Sequence, residues 1–496
     1  MRIKSFRKIA VYSFSICLLV LGFMFCSNSK KAKHGFVYLE GNDFKLNGND
    51  FYPVVLNYSS DLKADSNNLW VSPNIGYEDK DEYNKKAGNL RFRADMQMIK
   101  DLGFNAVRMA GITEYTFENN IIGKWSHTND KTNKFIPFSG PSGEKYFEAL
   151  ADMFKILDDV GLKAILLVNS FPDGNTESEK YWAKLLSRFK NEKAILAWDF
   201  FNEPLYFDAK ERKKVDVYNI VKKWKQDRST QDPNHLFTIG LTGTREVFEW
   251  DPNILDVDFV SIHPYEFKKG EIEGEISWYG KYMKKPWIIG ETGFSADGDS
   301  ISYDVQKTNA EKYLQHAVNC GASGFSWWQY KDVEWYRYQS NFLGLLTNKG
   351  TTKTSNKGLV VNGTVKPVGT LFKDFNPKKK TGECDCRENY YNYDNLNKFA
   401  IKGKLINQKT GQPVEGGTIV AWSEYYGESS LTFTKADGSF ILYGKFELYH
   451  FIASATLMDY YRANFDWKQV TKTSENGVPT HDVGIVKINP LQLGNP

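Results

Sequence analysis

The most constraining feature of this chain is an alternation that repeats eight times between about residue 36 and residue 375. Short apolar runs rich in Val, Ile, Leu and Phe alternate with longer amphipathic stretches, which reads as strand–helix units around a parallel sheet. The strands fall at Phe51–Tyr58, Phe104–Met109, Leu162–Asn169, Ala194–Phe201, Leu236–Leu241, Asp256–Ile262, Pro286–Glu291 and Ala322–Trp328. Helices begin near Asn89, Ser142, Glu177, Asp208, Thr244, Glu271, Ser302 and Lys366. Leu162–Val168 is almost continuously apolar after Gly161, as a strand buried on both faces must be. Leu90–Ile99 carries apolar residues at helical spacing, and Gly103 ends that helix. Eight such units close into a (β/α)8 barrel with long connecting loops. Before the first unit, Phe44-Lys45-Leu46-Asn47-Gly48 holds an Asn-Gly turn and predicts a hairpin.

At 496 residues the chain exceeds one domain. Residues 34–375 read as the barrel and 376–397 as a linker in which periodicity disappears. Residues 398–496 read as a small β-sandwich with strands at Phe399–Leu405, Gly417–Ser423, Ser430–Lys435, Ser439–Leu442 and Ile452–Thr456. Residues 1–33 form a basic start followed by an apolar run, Ile9–Phe25, as in an export signal. Cys26 follows that run and resembles the lipidated cysteine of bacterial lipoproteins. Ordinary cleavage after Ser29 and an uncleaved anchor are the alternatives. The expectation is an exported protein, membrane-anchored through lipid or signal, or else secreted.

The formal charge of +4 is concentrated at this end, where seven basic residues and no acid occur within positions 1–33. The rest is mildly acidic, so no nucleic-acid partner is implied. The Lys210–Lys214 charges read as a solvated helix face. Cys320, Cys384 and Cys386 make no disulfide framework. Cys384-x-Cys386 reads as loop thiols or a local disulfide rather than a metal site.

In a barrel, chemistry sits where strands end. The fourth strand ends Phe201-Asn202-Glu203-Pro204 and the seventh Gly290-Glu291-Thr292, which brings two carboxylates to one rim. A retaining glycosidase needs two carboxyls about 5–5.5 Å apart, one attacking the anomeric carbon and one protonating the leaving oxygen. Such proximity raises one pKa and keeps that group as the acid. Asn202 can bond the sugar 2-hydroxyl. His263 and Tyr265, after the sixth strand, can orient the acid/base and hold the nucleophile. Arg108, ending the second, can keep Glu291 ionised. Trp327-Trp328 ends the eighth strand, and alternation leaves open which ring faces sugar. Aromatics make up 15% of the chain, and Trp70, Trp125, Trp335 and Tyr336 suit either further subsites or loop packing.

Asn-Glu-Pro, His-Pro-Tyr, Gly-Glu-Thr-Gly-Phe and Trp-Trp-Gln, in that order on strands four, six, seven and eight, resemble clan A glycoside hydrolases. The likeness is closest to glycoside hydrolase family five, the cellulase and β-mannanase family. It covers about residues 40–375. It implies Glu203 as acid/base and Glu291 as nucleophile, with Arg108, Asn202, His263, Tyr265 and Trp328 around the cleaved sugar, an oligo- or polysaccharide partner, and no metal or cofactor. Asn169 stands at the end of strand three where many members carry His. That is more like the mannanase branch and tilts the expected substrate toward mannan over glucan. A transglycosylase and a glycan-binding lipoprotein with a silent barrel are the rival expectations. The C-terminal Gly-Lys-Leu, Thr-Gly-Gln-Pro-Val and Ala-Asp-Gly-Ser-Phe segments resemble carboxypeptidase-regulatory-like modules. Such a module is either a glycan binder or a spacer.

Overall fold

The computed structural model describes residues 34–65, 67–73, 84–113, 115–116, 121–122, 136–137, 139–265, 270–333, 339–384, 397–425, 429–466 and 472–493. The export segment with Cys26, together with Trp125, Trp335, Tyr336, Cys386 and Tyr426, lies outside them. Among the described residues no helix is long and apolar enough to cross a membrane.

Eight parallel strands form the barrel: Val54–Ala64, Ala106–Ala110, Lys163–Leu167, Ile195–Asn202, Leu236–Leu241, Val260–Ile262, Trp287–Ile289 and Phe325–Trp327. Each pairs with its sequence neighbour, and the eighth pairs with the first. An Ile288–Gly324 bridge closes the ring. All eight expected strands are present because each is a run apolar enough to be buried on both faces. The outer half of the first strand continues above the barrel and pairs with Leu69–Pro73.

The Asn47-Gly48 turn forms as expected, with both residues at positive φ. Its hairpin closes the far end of the barrel: Val37 and Phe44 cluster with Val55, Ile165, Leu196 and Phe259.

Six of the eight expected helices are regular: Lys85–Asp101, Gly140–Val160, Thr176–Phe189, Lys214–Gln231, Glu271–Tyr282 and Tyr303–Asn319. Asn84, Asn175 and Ser302 cap three of them through their side chains. The fifth and eighth helices are corrected to short 3-10 segments, Thr244–Phe248 and Pro367–Thr370. Pro252 disfavours helix at Asp251 and stops the former. The buried Trp250 beside it instead stacks on Phe201, 5.5 Å between centroids.

The sandwich has two four-stranded sheets. Three of its strands, Tyr461–Asn464, Lys472–Glu475 and Val478–Ile488, are additions to the sequence reading. The last pairs in parallel with Phe399–Asn407 and contains Pro479, Asp482 and Gly484, which hide its strand character. In the strand Thr418–Trp422, Ile419 and Ala421 face the sandwich interior. Val420, with Leu431, Phe433 and Ile452, joins the core of the barrel. The two units therefore share one apolar seam.

Polar contacts lock that seam. Lys214 Nζ donates to Asp251 Oδ2 (3.2 Å), Ser454 Oγ (2.9 Å) and the Ala455 carbonyl (2.9 Å). Asp251 also accepts from Leu457 N, and Trp278 Nε1 donates to the Gly416 carbonyl. Lys214 is fully buried, which corrects the reading of Lys210–Lys214 as a solvated face. The helix starts at Lys214 and turns that side chain inward.

Cys384 forms a disulfide with Cys320, which corrects its reading as a loop thiol or the partner of Cys386. The first part of the 376–397 segment runs back along the last helix, with Thr381 N bonded to Asn319 Oδ1. That path brings the two Cα atoms to 4.5 Å.

Candidate active site

The site assembles around a guanidinium. Arg108 points into the barrel from the second strand and is 2% exposed. Its nitrogens donate to Glu291 Oε1 (2.5 Å), Asp199 Oδ2 (2.9 Å), Asn202 Oδ1 (2.8 Å) and Asn57 Oδ1 (3.2 Å). Burial opposes its charge, but the carboxylates of Asp199 and Glu291 outweigh that and raise its pKa. The second carboxylate oxygen of Glu291, Oε2, accepts from Tyr265 Oη at 3.0 Å.

Glu203 follows the fourth strand with φ 48° and ψ 67°, a left-handed conformation uncommon for a residue with a side chain. That kink ends the strand and starts a one-turn helix, Pro204–Phe207. Its Oε1 shares a 2.9 Å hydrogen bond with His263 Nδ1, which lies 3.6 Å from Glu291 Oε1. Burial raises the Glu203 pKa to about 7, with Arg108 opposing. Burial lowers that of His263 to about 4, so the imidazole is neutral near pH 7. His263 is packed between two glycines: a Cβ on Gly240 would sit 2.6 Å from its ring, and one on Gly290 would strike the ring and Ser261 Oγ.

One oxygen of Glu203, one of Glu291 and a His263 nitrogen all lie within 4.8 Å of one another. Among the described residues this trio has the spacing to hold a cation. Arg108, already bonded to Glu291, puts a positive charge there and disfavours a second.

Arg108, Asn202, Glu203, His263, Tyr265 and Glu291 are thus brought together as expected. Asn169 ends the third strand region at φ 57° and makes no hydrogen bond to this cluster. Trp327 is fully buried and donates to the Leu343 carbonyl, whereas Trp328 is half-buried at the mouth, which settles which ring is core. Trp70 lies on the strand Leu69–Pro73, not in a loop, and is buried against Gly88 of the first helix. Sequence reasoning missed Asp199 and Asn57. Asn57 bridges three strands, donating to Gly290 O (2.9 Å) and Ser326 Oγ (2.8 Å). Both are polar residues inside otherwise apolar strands, a signal that could have found them.

Comparison with known proteins fits this geometry. Residues 80–333 match the family description Cellulase (glycosyl hydrolase family 5). No curated protein sequence matches. Among solved structures, an endo-1,4-beta-mannanase from Rhizomucor miehei is 15% identical with TM-score 0.43, over 64% of this chain and 95% of the other. A calcium-binding mutant of Bacteroides uniformis beta-glucuronidase 2 is 13% identical with TM-score 0.46, over 91% of this chain and 48% of the other. These likenesses are too distant to assign a substrate. The matched family segment spans half of the chain and contains both glutamates, so the chain belongs to glycoside hydrolase family 5 and is a glycosidase.

Proposed function

We propose that the enzyme cleaves a β-linked glycan with retention, by double displacement, with Glu291 as nucleophile and Glu203 as acid/base. The observation that carries this is the approach of the two carboxylates to within 4.8 Å, too close for a water-bridged inverting pair. Their environments differ in the sense the two roles require. Glu291 is ion-paired with Arg108 and hydrogen-bonded by Tyr265, which favours the attacking anion. Glu203, with its pKa near 7, retains a proton to give.

In the first step Glu291 Oε bonds to the anomeric carbon as the C1–O bond breaks, and Glu203 passes its proton to the departing oxygen. In the second, the Glu203 carboxylate takes a proton from water, whose oxygen displaces Glu291 and releases the sugar. Asn202 is oriented for the 2-hydroxyl. Its Oδ1 is held by Arg108, so its NH2 group is the end left to donate.

For substrate we propose β-mannan ahead of β-glucan, on the strength of Asn169 at the third strand end. For location we propose export. A disulfide closing 64 residues suits an oxidising compartment. A reducing-sugar assay over mannan, glucan, xylan and galactan, with the product anomer followed by NMR from the first turnover, tests the proposal. Release of the β-anomer supports it, and release of the α-anomer overturns it.

A further inference from the structure

A second cavity lies beside the acid/base residue and outside the barrel mouth. It is a cleft of about 310 Å3 between the rim and the sandwich. Pro204 and Leu205, the two residues after Glu203, form one wall together with Glu249. Trp422 and Arg462 of the sandwich form the other. Trp422 lies two residues beyond Val420 on the barrel-facing side of its strand. It is half-buried, with its ring stacked on His450 at 5.2 Å.

Leu205 and Arg245 of the cleft lining also line a second, smaller recess that touches the reaction centre. Tyr265, which bonds Glu291, shares a small recess with Leu205 and Tyr206. Tyr206 and Phe207 follow, 58% and 61% exposed. Two adjacent aromatic side chains are thus turned to solvent three and four residues from Glu203.

We propose that this cleft is a subsite for a neutral sugar on the leaving-group side of the cleaved bond, with Trp422 as its stacking platform. The side follows from Glu203 as proton donor, and to that extent the inference rests on the mechanism above. The sugar attached to the protonated oxygen departs along the Pro204–Phe207 wall. The neutral class follows from the lining, which holds the acids Asp208, Glu211 and Glu249 and the bases Lys210, Arg245 and Arg462. Balanced donors and acceptors beside an indole fit hydroxyls around an apolar ring face, and favour neither an anion nor a cation. Burial raises the pKa of Glu246, also in the lining, to about 8, which keeps that balance at neutral pH. The sandwich is then part of the substrate-binding surface of the enzyme, seated rigidly by the Lys214 seam.

The test uses the full chain and two substrates sharing one donor portion. One is mannohexaose, or cellohexaose if the wild type prefers it. The other is a nitrophenyl glycoside whose leaving group is too short to reach the cleft. In Trp422→Ala the ratio of kcat/KM for the hexasaccharide over the aryl glycoside falls about tenfold, and Trp422→Phe restores most of it. An unchanged ratio in Trp422→Ala overturns the subsite. Should that variant not fold, Arg462→Gln at the exposed lip gives the same readout with a smaller fall, and no fall overturns it. The mechanism is judged separately. Glu203→Gln must lose hexasaccharide cleavage far more than cleavage of the aryl glycoside, whose leaving group needs little protonation. If it does not, the assignment of Glu203 fails whatever Trp422 does.

Discussion

Arg108 at the barrel mouth and Lys214 at the seam are both buried cations held by carboxylates, yet the balance around them differs. Lys214 meets one carboxylate, Asp251, and its three N–H groups find three acceptors. Charge and hydrogen bonds close on themselves, and nothing is left to react. Arg108 bonds two carboxylates, Asp199 and Glu291, with a third, Glu203, within 4.8 Å of Glu291. Among the described residues no cation is bonded to Glu203, and burial disfavours its charge more than the nearby Arg108 favours it, so it keeps its proton near neutral pH. Saturated pairing makes a joint, whereas a buried carboxyl without a cation of its own makes an acid beside a nucleophile.

The largest test of that contrast is Glu291→Ala. Turnover should fall by at least about a hundredfold, because no other group reaches the anomeric carbon. Folding should survive, since Arg108 retains Asp199. Denaturant titration beside the assay checks both, and substantial residual activity defeats the assignment. Lys214→Met should do the opposite. It strands Asp251 in the seam and costs about 3–5 kcal/mol of stability, with kcat/KM on the aryl glycoside unchanged at temperatures where it stays folded. Adding Asp251→Asn should recover a good part of the loss. If Lys214→Met is neutral in urea, the seam is not a saturated joint.

The same contrast explains what could be read in advance. The eight strands were legible because burial on both faces demands long apolar runs, and these are visible one residue at a time. Glu203, Glu291 and their neighbours were legible because strand ends are numbered by those runs. Asp199 was legible only as an acid inside the apolar run Trp198-Asp199-Phe200; its partner, an Arg on another strand, was not. Lys214 looked like its neighbours Lys210 and Lys213. What buries it is Ser454 and Ala455, some 240 residues away. The segments at Thr244–Phe248 and Pro367–Thr370 carry the starts of helices but form only short 3-10 turns, the first followed by the helix-breaking Pro252.

A smaller effect separates the seam from the covalent staple. The Cys320–Cys384 bond closes 64 residues and ties the segment leaving the barrel to its last helix. Cys320→Ser should lower stability by about 2–4 kcal/mol. If the Lys214 seam alone seats the sandwich, the ratio of long to short substrate rates should not move in this variant. A fall in that ratio would mean that the staple, too, positions the cleft.

The smallest expected effect has the least obvious sign. The folded-state pKa of Glu203 is about 7 against an ordinary 4.5, with burial as the main cause. The folded protein therefore holds this proton more tightly than the unfolded chain. Between pH 4.5 and 7 the unfolded chain gives its proton up while the folded one does not, so stability falls as pH rises through that window. Glu203→Gln removes the titration. It should match the wild type in stability near pH 4 and exceed it by roughly 1–3 kcal/mol at pH 8. The wild-type rate should fall over the same upper range, as kcat/KM needs the protonated acid, with a half-point near 7 in the free enzyme. A stability profile for Glu203→Gln parallel to the wild type from pH 4 to 8 would mean that Glu203 does not hold the proton. The contrast between a closed pair at the seam and an unpaired buried carboxyl at the mouth would then lose its acid.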